Sequence, residues 1–140
     1  MNLMDQETEG FIFTKMNDKS LTVYQNEEII YEHEGKWLHP LLDFGIYLNE
    51  HPEIKPSELM LCDKVVGRAS AMLTARMGIK KVHAKLLSSL AIPIFEKHYI
   101  SYTYDKLIDK LPCKTEALLL NITSLDEAYK IIIKRANKNN

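Results

Sequence analysis

The stretch from Ser57 to Gly78, S-E-L-M-L-C-D-K-V-V-G-R-A-S-A-M-L-T-A-R-M-G, constrains the fold more than any other part of the chain. Glu58 to Cys62 is a compact, mostly apolar run and reads as a short buried strand. Asp63 follows with a side-chain oxygen able to accept from free backbone N–H groups, so it is predicted as a helix N-cap. Val65, Val66, Ala69, Met72, Leu73 and Met77 then recur at helical spacing as one apolar stripe. Gly78 supplies the stop. A strand that runs directly into a helix is the building unit of α/β proteins, and ligands sit at such junctions because first-turn N–H groups point outward.

The flanking segments extend this pattern. Leu21–Tyr24 and Glu28–Glu32 are β-prone runs around Gln25-Asn26-Glu27, a hairpin in which Asn26 can take a positive φ. Gly35 ends that unit. His39-Pro40 opens a helix reaching about Asn49, with Pro40 suited to its first position. After the central unit, Lys81–Leu87 is a second buried strand. Ser88 and Ser89 follow, then a short helix to about Tyr99 with Pro93 confined to its first turn. Ile100–Tyr104 is a third strand, with Tyr102 and Tyr104 on one face. Pro112 to Leu120 holds a helical turn. Ser124 and Glu127 form a capping box for a last helix carrying Leu125, Ala128, Tyr129, Ile132, Ile133 and Ala136. The expected architecture is a three-layer α-β-α sandwich with a mixed sheet, an antiparallel hairpin beside parallel strands. Its organisation is a flexible segment or edge strand over 1–18, one domain over 19–136, and a frayed tail over 137–140.

Charge and composition narrow the function. Eighteen basic residues against nineteen acidic ones leave a net charge of −1, which offers no general pull toward nucleic acid or anionic membrane. No apolar run approaches the ~20 residues of a membrane helix. The acidic start, M-N-L-M-D-Q-E-T-E-G, lacks the pattern of a signal peptide. A cytoplasmic setting with Cys62 and Cys113 as reduced thiols is therefore expected.

The residues also carry a resemblance. Pro40-Leu41-Leu42-Asp43, Asp63-Lys64-Val65-Val66-Gly67-Arg68-Ala69, Ser88 with Ala91, Cys113 with Glu116, and Asp126-Glu127-Ala128-Tyr129 together resemble the uncharacterised bacterial DUF1893 family. That family is read as a zinc-less branch of the cytidine deaminase-like fold. The resemblance implies a site at the strand–helix junctions that hold zinc in true deaminases, and marks Asp63, Lys64, Ser88, Cys113 and Glu116. One departure is the short segment Ile108–Pro112, which lacks the family's Asn-Arg and glycines.

Zinc can be weighed from the residues themselves. A zinc deaminase needs His (or Cys) and Glu at one helix start and P-C-x-x-C at another. Here Asp63-Lys64 opens the predicted helix. His83-Ala84-Lys85 lies inside a strand, with Lys where the proton shuttle would be. Pro112-Cys113 is followed by Glu116 where a second Cys belongs. No metal and no cofactor are expected. The candidate catalytic residues are Asp63, Lys64, Cys113 and Glu116, with enzymatic activity left open. Lys64 in a first helical turn opposes the helix dipole and calls for an anion beside it. Cys113 at a helix start is a candidate thiolate. Asp63, Lys64, Ser88 and Ser89 are the expected ligand-binding residues, for a small anionic or nucleotide-like ligand. The alternative is a non-catalytic interaction domain acting through a homodimer or protein contacts. Each candidate also has a plain structural role: Asp63, Ser88, Ser89 and Glu116 as caps, and both thiols as inert packing groups.

Overall fold

The two-residue turn Asn26-Glu27 sets the first register. Both residues have positive φ, 51° and 72°, the conformation a tight hairpin needs to match strand twist. Strands β1 (Leu21–Gln25) and β2 (Glu28–His33) flank it and pair antiparallel from Gln25 and Glu28 outward. The protein is seen here as a computed structural model that describes residues 19–139; the sequence expectation for 1–18 lies outside them.

Helix α1 (His39–Glu50) follows, with Pro40 in its first turn as expected, and buries Leu41 and Phe44. A single 3-10 turn at Pro56–Glu58 leads into β3 (Leu59–Val66). Then come α2 (Arg68–Met77), β4 (Lys81–Ser88), a 3-10 turn at Ser89–Ala91, α3 (Ile92–Lys97), β5 (Ser101–Ile108), α4 (Lys114–Leu118) and α5 (Leu125–Asn139). The five strands form one mixed sheet in the order β2-β1-β3-β4-β5. Strand β1 is antiparallel to β2 and β3, while β3, β4 and β5 are parallel. The expected α/β architecture with a mixed sheet is therefore present.

This topology brings four loops together. Because β1 alone runs against its neighbours, β2, β3, β4 and β5 all point the same way. The loops after those four strands gather at one end of the sheet, the end where α/β proteins bind ligands.

The main core lies between the helices and the sheet face bearing Leu21, Val23, Leu59, Leu61, Val82 and Ala84. Both β3-α2-β4 and β4-α3-β5 are parallel crossovers between neighbouring strands, so α2 and α3 share a face. Helix α2 is the central helix: every residue from Arg68 to Thr74 is buried. Ala69, Ala71, Ile94, Phe95, Ala128 and Ile132 belong to the same cluster. Each large apolar side chain so buried stabilises the fold by about 1.5–3 kcal/mol. On the opposite face Tyr24, Met60 and Cys62 form a separate buried cluster. Of the three expected layers, the described residues thus form the sheet and one helical layer.

Other expectations change, among them the third strand, expected over Ile100–Tyr104 and found over Ser101–Ile108. The central strand does not end at Cys62 but runs to Val66, so Asp63 caps no helix. Asp63 pairs with Leu21 on one side and Ala84 on the other, and the ladder to β4 continues to Val66 opposite Leu87. Two-sided pairing outweighs one side-chain cap. Val65 and Val66, assigned to the helical stripe, are strand residues, with Val65 exposed. The last helix also extends past Ala136 into the expected tail, reaching Asn139. Its start carries one half of the predicted capping box, the Glu127 N–H donating to Ser124 Oγ at 3.2 Å.

Candidate functional site

The chain turns from sheet to helix at Gly67, not at Asp63. Gly67 is the N-cap of α2 and has no side chain to cap with. Glu116 replaces it from 48 residues away: its Oε2 accepts the Arg68 N–H at 3.0 Å. The other oxygen, Oε1, accepts from Ser88 Oγ at 2.9 Å and from the Leu111 N–H at 2.8 Å. Glu116 and Ser88 are both buried. A Cβ at position 67 would collide with the Glu116 carboxylate and with Leu111 Cδ1, so only glycine lets the carboxylate reach the helix.

Arg68 completes this clasp. Its guanidinium donates from Nε to the Leu119 carbonyl at 2.7 Å and from Nη2 to the Ile122 carbonyl at 2.9 Å. It thereby satisfies carbonyls at the end of α4 and in the turn beyond it, groups that helix geometry leaves without partners. Burial pulls the Arg68 pKa down, and the Glu116 charge pushes it back up. The helix dipole of α2 does find an anion, but the anion is built in.

The structure separates the sequence candidates into two groups. Ser88, Cys113 and Glu116 meet at the carboxyl ends of β3 and β4. Asp63 and Lys64 do not: both lie within β3. Burial pushes the Asp63 carboxyl up to about 7, against the opposing pull of the Val65 and Lys64 amides. The Lys64 amide donates to the Ser20 carbonyl at 3.1 Å. Its ammonium acts on Glu34, whose carboxyl is held low mainly by Lys19 and to a smaller extent by Lys64. Lys64 therefore sits in strand β3, not in the first turn of a helix that needs an external anion. Ser88 Oγ accepts the Leu90 N–H at 3.2 Å, the cap predicted for it, while Ser89 Oγ donates to the Asp109 carbonyl at 2.6 Å.

Beside the clasp lies an apolar cleft of about 270 Å³, lined by Trp37, Leu38, Val65, Ala69, Leu111, Pro112, Cys113, Thr115 and Glu116. Trp37, the chain's single tryptophan, is 36% exposed and held at a φ of 59°. Across the Leu111-Pro112-Cys113 turn is a second hollow of about 420 Å³, which Lys110 and Lys114 also line. Cys113 is exposed and borders both; Cys62 is buried, and both thiols are free. Burial and the neighbouring Asp63 charge push the Cys62 thiol far up, so it is inert packing.

Trp37, Lys110 and Lys114 escaped the sequence reading because no local pattern marks them and they converge only in space. Arg68 and Gly67 lay inside the D-K-V-V-G-R-A run, where only Asp63 and Lys64 were singled out. Among the described residues, no three His, Cys, Asp or Glu side chains are placed to share a metal ion. His83 sits within β4, its Nδ1 2.7 Å from Thr103 Oγ1 and its Nε2 3.3 Å from Asp105.

The family model described as "TM1506: Domain of unknown function (DUF1893)" matches residues 12–135. The chain belongs to the DUF1893 family. A crystal structure of a DUF1893 family protein (TM1506) from Thermotoga maritima, at 2.70 Å resolution, superposes with a TM-score of 0.80. The two are 23% identical over 96% of this chain and 92% of that one, a likeness that shows a shared fold. A search of the curated proteins finds no match. Among the described residues no helix is long and apolar enough to cross a membrane.

Proposed function

We propose that this DUF1893 protein binds a small nucleotide-like ligand across the Leu111–Cys113 turn. A flat ring would lie in the apolar cleft against Trp37, and an anionic group would face Lys110 and Lys114. The observation that carries this reading is the pairing of two hollows over one turn, one apolar and aromatic, the other bordered by two ammonium groups. Apolar pockets with a few convergent polar groups are the usual form of small-ligand sites. The buried Glu116 carboxylate disfavours an anion at the start of α2 itself, which sends the charged end of the ligand outward to the lysines. The strand order, with a hairpin beside parallel strands, supports a place in the cytidine deaminase-like branch. The donor set supports a branch working without deaminase zinc chemistry. A cytoplasmic setting goes with two free thiols.

Trp37 makes the test direct. Its fluorescence should change on titration with nucleoside monophosphates, and less with nucleosides or inorganic phosphate alone. The response should weaken in a K110A/K114A double variant that keeps its melting temperature. An unchanged Trp37 signal across that panel, with no thermal shift, sinks the reading.

A second reading is an interaction domain or homodimer. Strand β5 is a sheet edge, and Tyr104 and Leu107 on it are 44% and 42% exposed. Light scattering that gives a monomer at every concentration would remove the dimer.

A further inference from the structure

A second cleft lies away from the Trp37 site, between α1 and α2, with Tyr129 of α5 at its side. Its volume is about 240 Å³, and its apolar wall includes Leu41, Leu42, Leu73 and Met77. Gly45 keeps it open, for a Cβ there would meet only Met77 Sδ, at 3.8 Å. One end carries a charge. The Arg76 guanidinium carbon lies over the Tyr129 ring, 3.9 Å from its centre, and the Arg76 Nε donates to Asp126 Oδ1 at 3.1 Å.

Two stretches that carry the family resemblance meet here: Leu41 and Leu42 from P-L-L-D, and Asp126 and Tyr129 from D-E-A-Y. Neither has a part in the Glu116 clasp or the Trp37 cleft. Tyr129 holds the guanidinium by a cation–π contact. Asp126 is 81% exposed on its side chain, so it is a surface partner that a better-placed carboxylate can displace. Among the described residues no hydrogen bond engages the Arg76 Nη groups, which leaves the planar fork free for bidentate recognition of a carboxylate.

We infer that this cleft binds a small apolar molecule ending in a carboxylate, its chain against Leu41, Leu73 and Met77 and its acid group on Arg76. The class follows from the charge and the lining together: a mixed cleft with an aliphatic wall of Leu41, Leu42, Leu73 and Met77 and a guanidinium at one end.

The test uses octanoate and its neutral counterpart octanamide, followed by amide chemical shifts of the isotope-labelled full chain. Octanoate should perturb residues of α1, α2 and the start of α5, and bind more tightly than octanamide. R76Q should erase that preference, a loss of roughly tenfold for a charge-assisted hydrogen bond. D126N, which removes only the competing carboxylate, should tighten octanoate. G45A, which adds one methyl group into open space, should weaken both ligands while the protein stays folded. Equal affinity for octanoate and octanamide would overturn the inference, as would shifts confined to other surfaces or an octanoate affinity unmoved by D126N. None of these outcomes bears on the Trp37 titration, so the two sites stand or fall separately.

Discussion

The carboxylate of Glu116 receives the amide hydrogen of Arg68 at 3.0 Å and so caps, from a separate short helix, the helix that crosses the middle of the fold. The Arg68 side chain returns the contact by binding carbonyls at the far end of the Glu116 helix. Backbone and side chain of one residue thus hold both ends of the same segment. The loops after β3, β4 and β5 are thus tied together by hydrogen bonds to one carboxylate, and the Trp37 cleft lies beside it.

Removing that carboxylate is expected to be costly. Glu116→Ala strips partners from the Arg68 amide, the Ser88 hydroxyl and the Leu111 amide at once, and leaves the buried Arg68 charge uncompensated. Each buried donor left without its acceptor costs about 1–3 kcal/mol, so losing three at once exceeds the loss of any single contact. Glu116→Gln keeps the shape but turns an acceptor into a donor facing donors, for about 1–3 kcal/mol. Denaturant melts of the two variants check the order; a Glu116→Ala protein as stable as the parent would refute the clasp.

Gly67→Ala tests the same contact from the other side. The backbone at Gly67 is extended, with φ −109° and ψ −169°, so alanine is not strained there. The loss must come from the methyl group displacing the Glu116 carboxylate and Leu111. The two substitutions should therefore be non-additive. In a G67A/E116A double variant much of the Gly67→Ala cost should vanish, giving a coupling of roughly 0.5–3 kcal/mol. Additive losses would mean that the glycine serves some other contact.

The elements were legible in the sequence wherever local chemistry decided them. Asn26 announces a hairpin, Pro40 and Pro93 mark helix starts, Ser124 and Glu127 open the last helix, and Gly78 ends α2 in a left-handed conformation with its N–H on the Ala75 carbonyl. The site was legible only in part. Cys113, Ser88 and Glu116 were singled out one by one, and the fold brings them together. Asp63 failed because a good cap residue and a strand residue look alike until the neighbours are known; pairing with Leu21 and Ala84 settled it. Nothing local to Glu116 says that it caps a helix 48 residues earlier, since that depends on how the loops after parallel strands gather.

The two thiols should differ sharply in reactivity. Cys113 is exposed at the cleft, whereas Cys62 is 0% exposed and its thiol is held protonated by burial. A thiol-reactive chromophore should label one cysteine rapidly in the native protein and the second only in denaturant. Mass analysis after digestion should place the first label on Cys113. A ligand in the Trp37 cleft should slow that reaction, and early labelling of Cys62 would contradict the burial.

Asp63 should impose its own dependence on pH. Its pKa is raised from about 3.8 in an unfolded chain to about 7 in the fold, mainly by burial. Between those values the folded state holds a proton that the unfolded state has released, so stability falls as pH rises through this range. Below about pH 4 both states are protonated and the penalty is absent. Asp63→Asn removes the charge at similar size, so it should leave stability near pH 4 little changed and raise it at pH 8. The gain should be roughly 2–4 kcal/mol, since every tenfold difference in proton affinity between the folded and unfolded chain is worth about 1.4 kcal/mol. Chemical denaturation at pH 4.5, 6 and 8 measures the difference. A variant whose stability tracks the parent at all three values would show that the carboxyl is well solvated.

The hairpin offers a gain in stability. Glu27 sits at a φ of 72°, a left-handed conformation that costs an ordinary residue roughly 1–2 kcal/mol. Asn26 before it tolerates the same region better, because its short amide bonds locally. The Glu27 side chain is exposed. Glu27→Gly therefore completes an Asn-Gly pair, the preferred chemistry for a two-residue turn of this kind. The relief is offset in part by the larger freedom of glycine in the unfolded chain. A net stabilisation of about 0.5–1 kcal/mol should remain, with a melting temperature higher by about 1–4 °C for a domain of this size. Glu27→Val, with a branched side chain at the same φ, should move the melt the other way. If both variants shifted the melting temperature in one direction, the turn would not have the backbone geometry described here.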